Sequence, residues 1–149
     1  MDCPLKGAWD RAETTAFLES STVPIRLACT TPKGALWMVS LWYRHEEGAL
    51  KCATAASADV VGYLEENDGV AWEVSTNDPP YMGVRGNGTA SLSPDADKAV
   101  LRSLLDRYVG GPDNNLGKFL LRDDREERVI TIDPRRAFTW DYSDRMADL

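Results

Sequence analysis

Residues 35–43, Ala-Leu-Trp-Met-Val-Ser-Leu-Trp-Tyr, are apolar at almost every position. Successive side chains of a strand point to opposite faces, so a strand of this composition needs burial on both sides of its sheet. A small barrel has one interior, and the other face must meet a helix, a ligand or a second subunit. A β-rich domain that dimerises through this strand is the expectation.

The flanking sequence supplies neighbours for it. Apolar runs at 25–31 and 49–54 bracket the first, separated by Pro32-Lys33-Gly34 and by Arg44-His45-Glu46-Glu47-Gly48. Both spacers are turn chemistry, which predicts a meander. Before them, Asp10 and Glu13 match a capping box, with Ala12, Ala16 and Phe17 as the buried face of a short helix that ends at Val23-Pro24. Residues 57–66 read as a second helix, Ser57 its N-cap and Val60, Val61 and Leu64 inward, and strands follow at 70–76 and 82–92.

Ser93-Pro94-Asp95 opens a third helix with the stripe Val100, Leu101, Leu104, Leu105 and Tyr108. Residues 113–126 are a polar connection with room for one helical turn, and the last strands are 129–133 and 137–142, broken at Pro134. The order α-β-β-β-α-β-β-α-β-β, without repeats or linkers, predicts a single domain over 1–149. Its expected fold is mainly β: an antiparallel, Greek-key-like β-barrel with helices packed outside.

A net charge of −7 argues against a nucleic-acid partner, because a phosphate lattice is held by Lys and Arg. No apolar run approaches the ~20 residues that cross a bilayer, and the start lacks a long apolar segment, so a non-membrane, unexported protein is expected. Three cysteines, two of them inside strand-like apolar runs, read as free structural thiols in a reducing cytoplasm. The one histidine, His45, reads as a solvated turn residue, so no metal centre is expected. Gly86-Asn87-Gly88 lacks the third glycine of a dinucleotide fingerprint, and no GxSxG or HExxH motif occurs. What remains is the junction Ala53-Thr54-Ala55-Ala56-Ser57, where a strand end meets a helix start and presents two hydroxyls with free N–H groups. It suits a phosphate, and equally a plain helix cap.

The segments Ile25-Arg-Leu-Ala-Cys-Thr-Thr, Gly34-Ala-Leu-Trp-Met-Val-Ser-Leu-Trp-Tyr and Glu47-Gly-Ala-Leu-Lys-Cys-Ala-Thr resemble the first three strands of the pyridoxamine 5'-phosphate oxidase-like FMN-binding split barrels. Pro80-Tyr-Met-Gly-Val-Arg-Gly-Asn-Gly-Thr-Ala-Ser-Leu is similar to that family's long strand, and Pro134-Arg-Arg-Ala-Phe-Thr-Trp-Asp to the C-terminal part of small bacterial members. The resemblance implies a homodimer with FMN, or in some branches F420 or haem, in grooves at the interface, and flavin-dependent oxidation or reduction of a small molecule. It places the flavin ring on Trp37, Val39, Ser40, Leu41 and Trp42, and the phosphate at Thr54 and Ser57. The oxidases' cations are replaced here by Trp37, Trp42, Ala58 and Asp59, which leaves Arg26 and Arg85 as phosphate partners. Trp72 and Trp140 are further candidates for a ring-stacking wall or for core.

Overall fold

The computed structural model describes residues 1–148. Its strands are β1 (Leu5–Gly7), β2 (Ile25–Thr30), β3 (Leu36–Leu41), β4 (Arg44–Glu46), β5 (Ala49–Ala55), β6 (Gly69–Ser75), β7 (Met82–Pro94) and β8 (Glu127–Asp141). The helices are α1 (Arg11–Ser20), α2 (Asp59–Glu66), α3 (Ala99–Val109) and α4 (Asn115–Leu120). Hydrogen-bonded neighbours follow the order β3-β2-β6-β7-β8-β5-β4, and β1 joins β8 in parallel.

That path has two ends, which corrects the expected fold. β3 pairs only with β2 and β4 only with β5, so the sheet is not closed into a barrel. The chain is a mixed α/β, split-barrel-like open sheet, and the parallel β1–β8 pair removes the all-antiparallel expectation. Tyr43, just past β3, gives the reason. It is fully buried, and both its N–H and its C=O bond the Tyr108 hydroxyl of α3 at 3.2 Å. Its own hydroxyl donates to the Leu18 carbonyl of α1 at 2.8 Å. Backbone groups that a further strand could have taken are satisfied by helices instead. β3 and β5 therefore approach each other without pairing.

The opposite side of the sheet is continuous. β7 and β8 pair from Met82↔Asp141 to Pro94↔Arg128, and the two last strands expected from sequence are one strand running through Pro134. The register passes from Asn87↔Arg136 to Gly88↔Pro134, leaving Arg135 as a bulge, a place where proline costs the ladder little.

The main core joins Ile25, Leu27 and Cys29 of β2, Leu50 and Cys52 of β5, Val74, Val84, Ile130 and Ile132, covered by Leu18 of α1 and by Val60 and Leu64 of α2. A second cluster packs Val100 and Leu104 of α3 on Val129, Ala53, Trp42 and Tyr108. No helix among the described residues is long and apolar enough to cross a membrane.

Several local expectations shift. The Asp10–Glu13 capping box forms, but α1 buries Thr14 and Leu18, while Ala12 and Ala16 are exposed. The N-cap of α2 is Ala58 with no side-chain cap, so Ser57 keeps an exposed hydroxyl. Asp95 accepts from the Val100 and Leu101 N–H groups at 3.0 Å and so caps α3 from beyond a 3-10 turn. His45 is no solvated turn residue. It lies in β4 with a side chain 5% exposed, 3.7 Å from the Glu19 carboxylate, because α1 packs over β4.

Candidate functional site

The gap between β3 and β5 holds a cavity of about 330 Å³. Ser40, Leu41 and Trp42 line it from the end of β3, and Ala53 and Thr54 from β5. Leu101 of α3, Leu116 and Leu120 of α4 cover it, and Arg125 and Glu127 enter where β8 begins. Four residues expected at the cofactor ring or its phosphate thus meet in one place. They meet there because Tyr108 replaces a strand partner at Tyr43 and keeps the sheet split.

The same tyrosine shapes the wall. Trp42 stacks on Tyr108 with ring centroids 5.1 Å apart and planes 7° from parallel. Such a stack adds about 0.5–1.5 kcal/mol beyond area burial and fixes a flat aromatic surface. The polar end of the cavity is Glu127, whose side chain is 1% exposed and whose Oε1 takes the Nε–H of Arg125. Its Oε2 is buried with no hydrogen-bond partner. An unsatisfied buried acceptor costs about 1–3 kcal/mol.

A second pocket, about 370 Å³, adjoins the first and shares Arg125. It is bordered by Ala55, Ala56 and Ser57 ahead of α2, and by Arg122, Asp124 and Glu126. Arg122 lies 2.9 Å from Asp124 and over the Phe119 ring, so one of its cationic faces is already occupied. With Ser57 free of capping duty, its hydroxyl and these two guanidiniums are what the pocket offers to an anion.

The other expected residues lie elsewhere. Val39 pairs with Leu27 and packs against the main core, and Trp37 pairs with Cys29 and meets the Tyr63 ring of α2 edge-on at 6.1 Å. Arg85 borders a different groove, about 510 Å³, on the outer face of the sheet with Arg26, Ala28, Met38, Ala71 and Phe138. Its guanidinium sits 5.0 Å over Phe138 and 4.8 Å over Trp140. Trp72 is core, its Nε1–H donating to the Asn87 carbonyl. The cysteines are unpaired and buried, and burial pushes the Cys52 thiol up to about 12, which removes it from nucleophilic chemistry. No group of three or more metal-ligating side chains occurs among the described residues.

Arg122, Arg125 and Glu127 were not singled out from sequence. Arg122 and Arg125 fall near the end of the stretch 113–126 that reads as a polar connection, and Glu127 just past it. One signal was present: Glu127 precedes Val129 by two and shares its strand face, so a carboxylate occupies an inward position.

Burial inside one chain does not account for β3. Leu36, Trp37 and Met38 are 83%, 45% and 65% exposed, so the two-sided burial read from composition is not met by the chain itself.

No family model matches the chain, and no curated protein matches it significantly. Solved structures do. The chain is similar to a conserved hypothetical protein from Mycobacterium tuberculosis at TM-score 0.74 and 23% identity, covering 91% of this chain and 86% of that one. It is similar to an F420 reductase at TM-score 0.68 and 22% identity, covering 87% and 98%. It is also similar to the haem storage protein from Vibrio cholerae at TM-score 0.66 and 12% identity, covering 86% and 92%. At these identities the likeness shows the fold alone, a split-barrel-like open sheet.

Proposed function

We propose that this chain is a homodimeric binding protein for a flat cofactor, FMN, F420 or haem, seated in the cavity at the β3–β5 split. The observation that carries the reading is the convergence of Ser40, Leu41, Trp42 and Thr54 on one cavity walled by the Trp42–Tyr108 stack. A ring against Trp42 is shielded from water by Leu116 and Leu120 of α4. Ser57, Arg122 and Arg125 are the candidates for an anionic tail, and they stand in for the cations absent from β3 and from the start of α2. The cavity and pocket together fit a flat ring with a charged appendage, the shape the three cofactors share.

The dimer supplies what β3 lacks. An exposed edge strand carrying Leu36 and Met38 beside Ala28, Ala71 and Phe138 is an apolar face that a second copy of the chain would cover. Buried, unpaired Cys3, Cys29 and Cys52 suit a reducing, cytoplasmic setting.

A flavin-dependent oxidoreductase acting on a small molecule is the second reading, favoured by the likeness to the F420 reductase. A bound flavin or deazaflavin supplies the electron or hydride transfer itself, and the chain's residues bind, orient and exclude water. FMN, F420 and hemin should be titrated separately into purified protein, followed by absorbance and tryptophan fluorescence. Saturation by at least one of them at micromolar concentration, near one per subunit, is expected. Failure of all three would remove the reading.

A further inference from the structure

The outer face of the sheet carries cations that the chain itself leaves unpaired. Arg26 of β2 and Arg85 of β7 stand directly across from Glu73 of β6, and Arg136 of β8 lies across from Asn87 in the next outward row. None of the three arginines makes an ion pair among the described residues, and Glu73 instead accepts the Ser75 hydroxyl at 3.0 Å. Arg26 gives one long bond, 3.4 Å, to the Pro24 carbonyl. Arg85 is held without any such bond: its guanidinium lies over both Phe138 and Trp140, which fixes its plane and leaves its N–H edge free. A chain of net charge −7 thus gathers three unpaired guanidiniums around one groove of about 510 Å³. The floor of that groove is the cross-strand pair Ala28 and Ala71, with Met38 of β3 and Phe138 of β8 at opposite margins. It shares no lining residue with the cavity at the split.

We propose that this groove is a second binding site, for a small carboxylic acid with a flat apolar body. Arg85 supplies the fork that takes the carboxylate, Arg26 and Arg136 supply the surrounding charge, and the body lies on Ala28 and Ala71 between Met38 and Phe138. A planar carboxylate matches a guanidinium fork with two parallel hydrogen bonds. Glu73 limits the charge of the ligand, because a dianionic phosphate beside it meets about twice the repulsion that a monoanion does. The alanine floor sets the shape, since no long side chain rises from it and a flat body can reach the sheet. The second copy proposed above would lie across Met38 and Phe138 and so roof the groove rather than fill it. The inference goes beyond the cofactor reading and does not depend on it.

The test uses the full chain and three probes in isothermal titration: 2-naphthoate, the uncharged 2-naphthamide of nearly the same shape, and inorganic phosphate, which has charge and no apolar body. Wild-type protein is expected to bind 2-naphthoate about tenfold or more tightly than either of the others, with an affinity that falls as salt is raised. Arg85→Gln removes the held cation and Ala71→Leu fills the floor, and each should cost about tenfold or more in naphthoate affinity. Arg102→Gln, on α3 and away from the groove, should leave that affinity within about twofold. All three positions are exposed, and the wild-type comparison of probes needs no variant, so a variant that fails to fold leaves the test standing. No binding of 2-naphthoate, equal binding of the acid and the amide, phosphate bound as tightly as the acid, or full affinity in either Arg85→Gln or Ala71→Leu overturns the proposal. Dissociation of a dimer by Arg85→Gln in a protein that binds no naphthoate also overturns it, and assigns the arginines to the contact between copies. Titration of FMN, F420 and hemin into the same protein reports on the split alone, so the two readings fail separately.

Discussion

Along β7 and β8 each residue from Met82 to Pro94 has a partner across the ladder, whereas β3 and β5 approach each other and share none. In the first region the backbones come so close at Gly86 that a Cβ would lie 2.0 Å from the Arg136 carbonyl oxygen. In the second, Tyr108 takes up the backbone groups of Tyr43 and a cavity of about 330 Å³ opens beside them. One half of the sheet is thus pinned by pairing and packing. The other is held apart by helix α3, and Glu127, with an unpartnered buried oxygen, lines the cavity there. The paired half carries the ladder, and the split half carries the cavity proposed as the binding site.

Substitutions should separate the two regions. Gly86→Ala forces β7 from β8 and pushes on Trp72 as well, so a loss of about 3 kcal/mol in urea denaturation is expected. A loss under about 0.5 kcal/mol would show that the ladder yields easily. Tyr108→Phe keeps the ring on Trp42 and deletes the hydroxyl that joins Tyr43 to α3. It should cost about 1–2 kcal/mol, and an unchanged urea midpoint would mean that water replaces the hydroxyl. Met38→Glu leaves the β7–β8 ladder and the cavity lining in place. It places charge on the exposed outer face of β3, so sedimentation should show a monomer whose stability lies within about 0.5 kcal/mol of wild type. A dimer that survives it would move the interface elsewhere.

The smallest effect concerns His45. Burial holds its pKa below the ordinary 6.5, the N-terminal ammonium lowers it further, and Glu19 opposes both. Below about pH 6.5 the unfolded chain binds more protons than the folded one, so stability rises with pH through that interval and falls on acidification. His45→Gln should flatten the dependence of the urea midpoint between pH 5 and pH 7.5. An equally steep profile in the variant would assign the dependence to other groups.

The local features were legible in the sequence. The Asp10–Glu13 box, the inward Val60, Val61 and Leu64, and the α3 stripe all form because each depends on residues within a few positions of one another. Closure was not legible, because it turns on Tyr43 meeting Tyr108, 65 residues away, rather than a strand. The solvated reading of His45 failed for a similar reason: α1 packs over a segment that looks like a turn. Of the site, the β3 and β5 residues could be named from resemblance, since they stand in recognisable strands. Arg125 stayed hidden because a polar connection gives no hint of which of its charges folds inward, and Glu127 could be placed only by its spacing from Val129. Arg85 lies on the outer face, in a groove separate from the split.

The proposed binding mode seats the flat cofactor in the β3–β5 split and not in the outer groove. Ala53→Leu fills the first and Ala71→Leu the second. Affinity for FMN, F420 and hemin, measured by fluorescence titration on both folded variants, should fall about tenfold or more for Ala53→Leu and stay within about twofold for Ala71→Leu. Loss of binding in Ala71→Leu with full affinity in Ala53→Leu would contradict the account and move the site to the outer face.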